Sequence, residues 1–199
     1  MSLQAPTTLP RVCIVPGNGE GCEEANFYPW LASKLTNLGF SVTLSAMPEP
    51  NAAPASLWLS FLLDTLHVDS NCILIGHSSG ACAVLRLAEK HPFKAVIAVS
   101  ITDNDLGDKG ERESGWYNDP WLWSNMRENT EHLVVFASDD DPFIPIDVQR
   151  RVGKLLADVS SPKTIGTFEY IELHKRSHFF GQKQQEILDV VVRLSNLQI

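Results

Sequence analysis

The sequence predicts a three-layer α/β architecture, a mostly parallel central sheet with helices on both faces. Three observations carry that expectation. Short, wholly apolar runs such as Cys72-Ile73-Leu74-Ile75 and Ala95-Val96-Ile97-Ala98-Val99 suit strands that are covered on both faces. Longer amphipathic segments alternate with them, in the rhythm that parallel strands require. No internal repeat or low-complexity stretch interrupts the 199 residues, a length that one hydrophobic core can organise.

Val12-Cys13-Ile14-Val15 reads as the first strand, broken by Pro16-Gly17. Residues 27–38 have helical spacing, with Trp30, Leu31, Leu35 and Leu38 on one side and Gly39 as the stop. A second strand is expected at 40–44. A helix at 55–66 follows, with Leu57, Trp58, Phe61, Leu62 and Leu66 apolar. The strand at 72–75 leads into a helix at 79–90 that begins with small residues, and the next strand covers 95–99. Residues 101–130 break the rhythm. They are polar and glycine-containing at first, then aromatic (Trp116, Tyr117, Trp121, Trp123), and read as an insertion over one edge of the sheet. A strand at 133–137, a helix at 146–156, a weaker strand at 168–171 and a closing helix at 184–197 complete the pattern. Residues 1–10 are expected to be a flexible segment and 11–199 a single domain.

Hydrophobic residues make up 44% of the chain and charged residues 20%, with a formal net charge of −8. That balance argues against a nucleic-acid partner, since a phosphate-binding surface needs a surplus of Lys and Arg. The N-terminus lacks the charged and apolar regions of a secretory signal, and no apolar run is long enough to span a membrane. Cys13, Cys22, Cys72 and Cys82 show neither C-x-x-C pairs nor zinc spacing. A reduced, cytoplasmic protein with no membrane partner is expected.

The sharpest chemical signal is Gly76-His77-Ser78-Ser79-Gly80, placed between an apolar strand and a helix. A serine in such a strand-to-helix turn is held in a strained backbone conformation that projects its hydroxyl from the sheet. The residues two before and two after it must be nearly free of side chain, because strand and helix approach closely there. Ser78 meets this rule and Ser79, flanked at the same spacing by His77 and Ala81, does not. The backbone N–H of Ser79 instead opens a helix, where donors lack intrahelical partners, and suits an oxyanion. A second donor is expected in the loop Pro16-Gly17-Asn18-Gly19. Pro16 has no N–H, and Asn18 N–H is the choice.

A serine hydroxyl becomes a nucleophile only with a base, and the base needs an orienting acceptor. In chains with this elbow the order is Ser, then Asp or Glu, then His. The acid should follow a late strand, where Asp139, Asp140 and Asp141 compete. Asp141 is selected because only it matches D-x-x-[IV]-P; the other two read as solvated loop charge. Of six histidines, His67 and His91 end helices, His77 lies inside the elbow and His132 comes too early. His178 precedes the closing helix and is preferred as the base, with His174 the alternative.

With these motifs in place, the chain resembles the small serine hydrolases of the α/β-hydrolase fold typified by retinoblastoma-binding protein 9. Ile14-Val15-Pro16-Gly17-Asn18-Gly19, Met47-Pro48-Glu49-Pro50, Leu57-Trp58-Leu59 and Gly76-His77-Ser78-Ser79-Gly80-Ala81 carry the likeness in the first half. Asp105-Leu106-Gly107-Asp108, Pro120-Trp121-Leu122-Trp123, Asp140-Asp141-Pro142-Phe143 and His178-Phe179 extend it. The resemblance implies a small or absent lid and a metal-free, cofactor-free hydrolase of ester or amide bonds in small substrates, with Ser78, Asp141 and His178 as the triad. The chain departs from the family at Ser177, where the pattern has glycine. It also departs at Leu66-His67-Val68-Asp69-Ser70, which lacks the Cys and Glu of the L-x-C-x-E segment associated with retinoblastoma binding. That partner is therefore not expected.

Trp116, Tyr117, Trp121 and Trp123 are candidate pocket walls, or else rings that pack the insertion onto the sheet. Two rival functions remain in view: a binding module that has lost catalysis, and an acyltransferase or thioesterase using the same residues. A complete Ser-Asp-His set counts against the first.

Overall fold

Alternation along the strands sorts the core into two faces. The computed structural model describes residues 9–195. Most of the flexible segment expected at 1–10, and the end of the closing helix, lie outside the described residues; Leu9 packs on the core and Pro10 is buried. In β1 (Arg11–Val15), Val12 and Ile14 face one layer while Cys13 and Val15 face the other. In β3 (Cys72–His77), Ile73 and Ile75 divide from Cys72 and Leu74 in the same way. A period of two with apolar residues on both faces is what burial between two helical layers demands.

The other strands are β2 (Val42–Leu44), β4 (Phe93–Val99), β5 (Thr130–Ser138) and β6 (Thr167–Leu173). They join β1 and β3 in one parallel sheet of order β2-β1-β3-β4-β5-β6. One face is covered by α1 (Tyr28–Asn37) and α7 (Gln185–Leu194), through Leu31, Leu35, Ile187 and Val191. The other is covered by α2 (Ala55–Ser60), α3 (Ser79–Ala88) and α6 (Ile146–Ala157), through Trp58, Ala81, Leu85, Val152 and Leu156. The helix expected at 55–66 starts where the spacing placed it, but its second half, Phe61–Thr65, is a π-helical turn.

The stretch 101–130 holds two short helices, α4 (Lys109–Ser114) and α5 (Trp123–Glu128). It connects β4 to β5, both inside the sheet, and packs on α3 rather than over a sheet edge. Arg86 of α3 fastens it, donating to Trp116 O at 2.6 Å, Asp119 O at 2.7 Å and Pro120 O at 3.2 Å. Glu89 closes the cluster with a buried ion pair to Arg86 at 2.8 Å. The chain runs from β1 outward to β2 and then back across to β3, so strand order reverses beside β1. Ligand sites in open parallel sheets gather at the carboxyl ends of the strands flanking such a reversal. The loop after β1 and Ser78 after β3 both lie there.

Candidate active site

Ser78 has φ 56° and ψ −121°, a combination that residues with a Cβ rarely adopt. Its N–H donates to Val99 O at 2.9 Å, pinning the turn to the end of β4. The two flanking glycines are required by contact. A Cβ on Gly76 would lie 2.2 Å from Gly80 O, and one on Gly80 would lie 2.3 Å from Val15 O. Helix α3 can therefore start immediately behind the serine.

The backbone donors around Ser78 sort themselves by occupancy. Gly17 N–H is taken by Tyr28 Oη at 3.1 Å, and Gly19 N–H by Pro50 O at 2.9 Å. Among the described residues, Asn18 N–H and Ser79 N–H have no partner, and both residues line the cavity that holds Ser78. Gly17 lets this loop come close: a Cβ there would sit 3.2 Å from Ser78 Cβ.

Asp141 follows β5 with its side chain fully buried. Its Oδ2 lies 2.8 Å from His178 Nδ1 and accepts from Ser100 Oγ at 2.9 Å. Its Oδ1 accepts the N–H groups of Phe143 and Ile144 at 3.0 and 3.1 Å. Burial alone would raise the carboxyl's pKa. The bond to His178, its charge and the two N–H donors outweigh burial and hold the group below the ordinary carboxylate range.

His178 is buried, with the rings of Phe143 and Phe180 edge-on at 5.1 and 5.3 Å. Ser78 and His178 line one cavity of about 580 Å³, a size suited to a small molecule. Among the described residues, Ser78 Oγ makes no hydrogen bond and stays available. Serine–imidazole contacts in a site without substrate are commonly long.

The family model for serine hydrolases matches residues 12–161. The chain belongs to the serine hydrolase family. Serine hydrolase RBBP9 of Rattus norvegicus is 40% identical over 168 residues, which cover 83% of this chain and 90% of that one. The ydeN gene product of B. subtilis shares the fold, with a TM-score of 0.81 at 21% identity over 94% of this chain and all of that one. Est1E of Butyrivibrio proteoclasticus, solved with ferulic acid bound, has a TM-score of 0.68 at 14% identity, covering 94% and 89% of the two chains. The architecture is the three-layer α/β-hydrolase fold.

Of the four rings read as either pocket walls or packing rings, three pack the insertion and lie away from the cavity lining. Trp116 is fully buried against Trp58, with ring centres 6.0 Å apart. Trp121 and Trp123 stack at 5.4 Å, and the Arg86 guanidinium sits 3.7 Å above Trp121. These rings bind the insertion to α3, because Arg86 offers both a cation and a hydrogen-bonding fork there. Only Tyr117 reaches the cavity, where its hydroxyl lies 3.4 Å from Glu111. Phe143, Phe180 and Leu106 supply the apolar wall instead, all substantially exposed at the mouth.

Asp139 and Asp140 are exposed, yet they are more than solvated charges. Asp139 pairs with His174 and accepts Lys175 N–H at 2.9 Å; Asp140 accepts Ser177 N–H at 2.7 Å and Ser138 Oγ at 2.8 Å. The three successive carboxylates hold three successive parts of the loop that carries His178. Ser100 and Tyr28 were not singled out in the sequence. Neither stands in a motif, and each reaches the site only through tertiary contact.

Proposed function

We propose that this hydrolase cleaves ester or amide bonds of small substrates through an acyl-enzyme on Ser78. His178 accepts the Ser78 hydroxyl proton at Nε2 as the oxygen attacks the substrate carbonyl. Asp141 keeps the imidazole in the tautomer with Nδ1–H and stabilises the imidazolium as it forms. Asn18 N–H and Ser79 N–H hold the developing oxyanion. The imidazolium then gives its proton to the leaving oxygen or nitrogen, and water, deprotonated by the same base, releases the acid. Each role falls to a protein group, so the scheme calls on no metal or cofactor.

The observation that carries this reading is the Asp141–His178 contact at 2.8 Å, in the cavity that also holds the strained Ser78. Four free thiols and a net charge of −8 fit a cytoplasmic enzyme that works on small molecules without a nucleic-acid or membrane partner. No helix among the described residues is long and apolar enough to cross a membrane. The missing L-x-C-x-E segment speaks against a retinoblastoma partner.

Labelling with a fluorophosphonate, followed by mapping of the adduct, tests the proposal. The expected result is a single adduct on Ser78, lost in Ser78→Ala. An adduct on Ser79, or no adduct in the folded protein, would overturn it.

A further inference from the structure

Two buried side chains that the mechanism above does not use connect its two halves. His77 precedes Ser78 in the elbow, and Tyr28 lies 49 residues earlier, in the first turn of α1. Neither is appreciably exposed. Phe27 packs against both rings, at 4.8 Å from Tyr28 and edge-on at 5.7 Å from His77.

The protons on this pair follow from the partners. His77 Nε2 lies 2.9 Å from the main-chain oxygen of His178. A carbonyl oxygen only accepts, so Nε2 carries a hydrogen. Burial, helped by the neighbouring His178 ring, pushes the pKa of His77 down to about 3, so the ring is neutral and Nδ1 is a bare acceptor. The Tyr28 hydroxyl, 2.5 Å from Nδ1, must donate to it. Its oxygen is left to accept Gly17 N–H at 3.1 Å. The result is a single directional chain: Gly17 N–H to Tyr28 Oη, Tyr28 O–H to His77 Nδ1, and His77 Nε2–H to His178 O.

We propose that Tyr28 and His77 are positioning residues for hydrolysis, tying the loop that presents Asn18 N–H to the backbone that carries the His178 imidazole. The proposal rests on the Ser78 mechanism above. The hydrogen-bond chain joins two parts of the site. One end is the residue before the free Asn18 N–H, and the other is the main chain of the base itself. Asp141 fixes His178 at the ring, and His77 fixes it at the carbonyl, so the imidazole is held from two sides. The link passes through the residue adjoining the nucleophile, so the base, serine and oxyanion donor share one frame. Burial obliges both ring nitrogens of His77 to find partners, and here those partners lie on the loop after β1, through Tyr28, and on the loop that carries His178.

The test is turnover of an aryl ester, counted per fluorophosphonate-titrated site, in Tyr28→Phe, His77→Phe, His77→Gln and the Tyr28→Phe/His77→Phe double variant. Tyr28→Phe and His77→Phe should each lower kcat by about tenfold to a hundredfold, the scale of a small misplacement of reacting groups. KM should move by no more than about twofold, because substrate contacts remain. His77→Gln keeps an N–H directed at the His178 carbonyl and should recover most of the loss. The double variant should be no worse than the poorer single one, since a chain broken once is already broken. Tyr28→Phe removes one oxygen only, so the test survives a His77→Phe chain that does not fold.

Wild-type kcat per site in Tyr28→Phe would overturn the proposal, as would a loss seen only in KM or in the number of titratable sites. A wild type that takes no label at Ser78 would sink the underlying mechanism and this inference with it. A labelled wild type with unaffected variants would sink the positioning role alone.

Discussion

Asp141 Oδ2 and His178 Nδ1 lie 2.8 Å apart, and the carboxylate involved is buried yet accepts from Ser100 and two backbone N–H groups besides. A carboxylate so fully satisfied is fixed in direction, and it fixes the imidazole in turn. Asp141→Asn replaces an acceptor with an amide that can offer N–H to His178 and so favours the wrong tautomer. Turnover of an aryl ester should fall by about 10³–10⁴-fold, with the fold retained by circular dichroism. Asp139→Asn should leave kcat within about twofold, because that carboxylate contacts His174 and Lys175 N–H, not the base.

The two late histidines differ in the same way. His178 is buried in the cavity, whereas the His174 side chain is 71% exposed and faces Asp139. His178→Ala should cost several orders of magnitude in kcat/KM, since no other imidazole in the cavity offers a free nitrogen to Ser78. His77 is the other one present, and both of its nitrogens are engaged. His174→Ala should change kcat/KM little. Equal losses in the two variants, measured on one ester, would transfer the base to His174.

Acid should destabilise the fold in a defined window. The pKa of His77 is lowered from 6.5 to about 3, with burial the main cause. Between those values the unfolded chain binds a proton that the native His77 refuses, so stability falls as pH drops from near 6.5 toward 3. Near pH 5 this one group should cost on the order of 2 kcal/mol relative to neutral pH. The Asp141 carboxyl, held below its ordinary value, adds stability at neutral pH that is lost as pH falls through its folded pKa. That loss comes below pH 4, so urea unfolding near pH 5 and at neutral pH reads the histidines: His77, and His132, which burial also lowers. In His77→Gln the difference should shrink by about the His77 share, and an unchanged difference would exclude His77 as its source.

The loop before His178 shows what local sequence can and cannot reveal. Ser177 stands where the family pattern has glycine, and its φ is 52°, in the left-handed region that glycine tolerates. The departure visible in the sequence thus marks a strained backbone position. Ser177→Gly should stabilise the protein by about 0.5 kcal/mol, the relieved strain slightly exceeding the added unfolded-state entropy. Ser177→Ala keeps the strain and should not stabilise. Activity should be unchanged in both, because the Ser177 contact to Asp140 is made by the backbone.

Where local structure depends on residues near each other in the chain, the sequence was readable. Gly76, Ser78 and Gly80 form one turn, Asp141 is marked by the residues just after it, and alternation separates the two faces of β3. Where it depends on what crosses in space, the sequence was silent or misleading. The pairing of Tyr28 with His77 spans 49 residues and leaves no spacing signal. For the insertion's tryptophans the sequence left pocket wall and packing ring both open, because aromatic content does not encode direction; Arg86, in another element, stacks on Trp121 outside the cavity lining. The cavity took its rings from Phe143 and Phe180, which flank Asp141 and His178 in sequence.

Ser78 itself supplies the last prediction. Its φ of 56° and ψ of −121° serve only to project a hydroxyl, and backbone so placed costs about 1–3 kcal/mol for a residue with a Cβ. The surrounding fold enforces it through Ser78 N–H to Val99 O and through the helix bond from Ala81 N–H to Ser78 O. Ser78→Gly removes both the proposed nucleophile and the Cβ. It should abolish labelling and turnover while raising stability by about 1 kcal/mol, after the extra entropy of an unfolded glycine is deducted. Ser78→Ala removes the hydroxyl but keeps the Cβ, so it should be equally inactive without that full gain. Thermal unfolding of the three chains separates strain from chemistry. A Ser78→Gly midpoint at or below that of Ser78→Ala would mean that the elbow carries no strain that glycine can relieve.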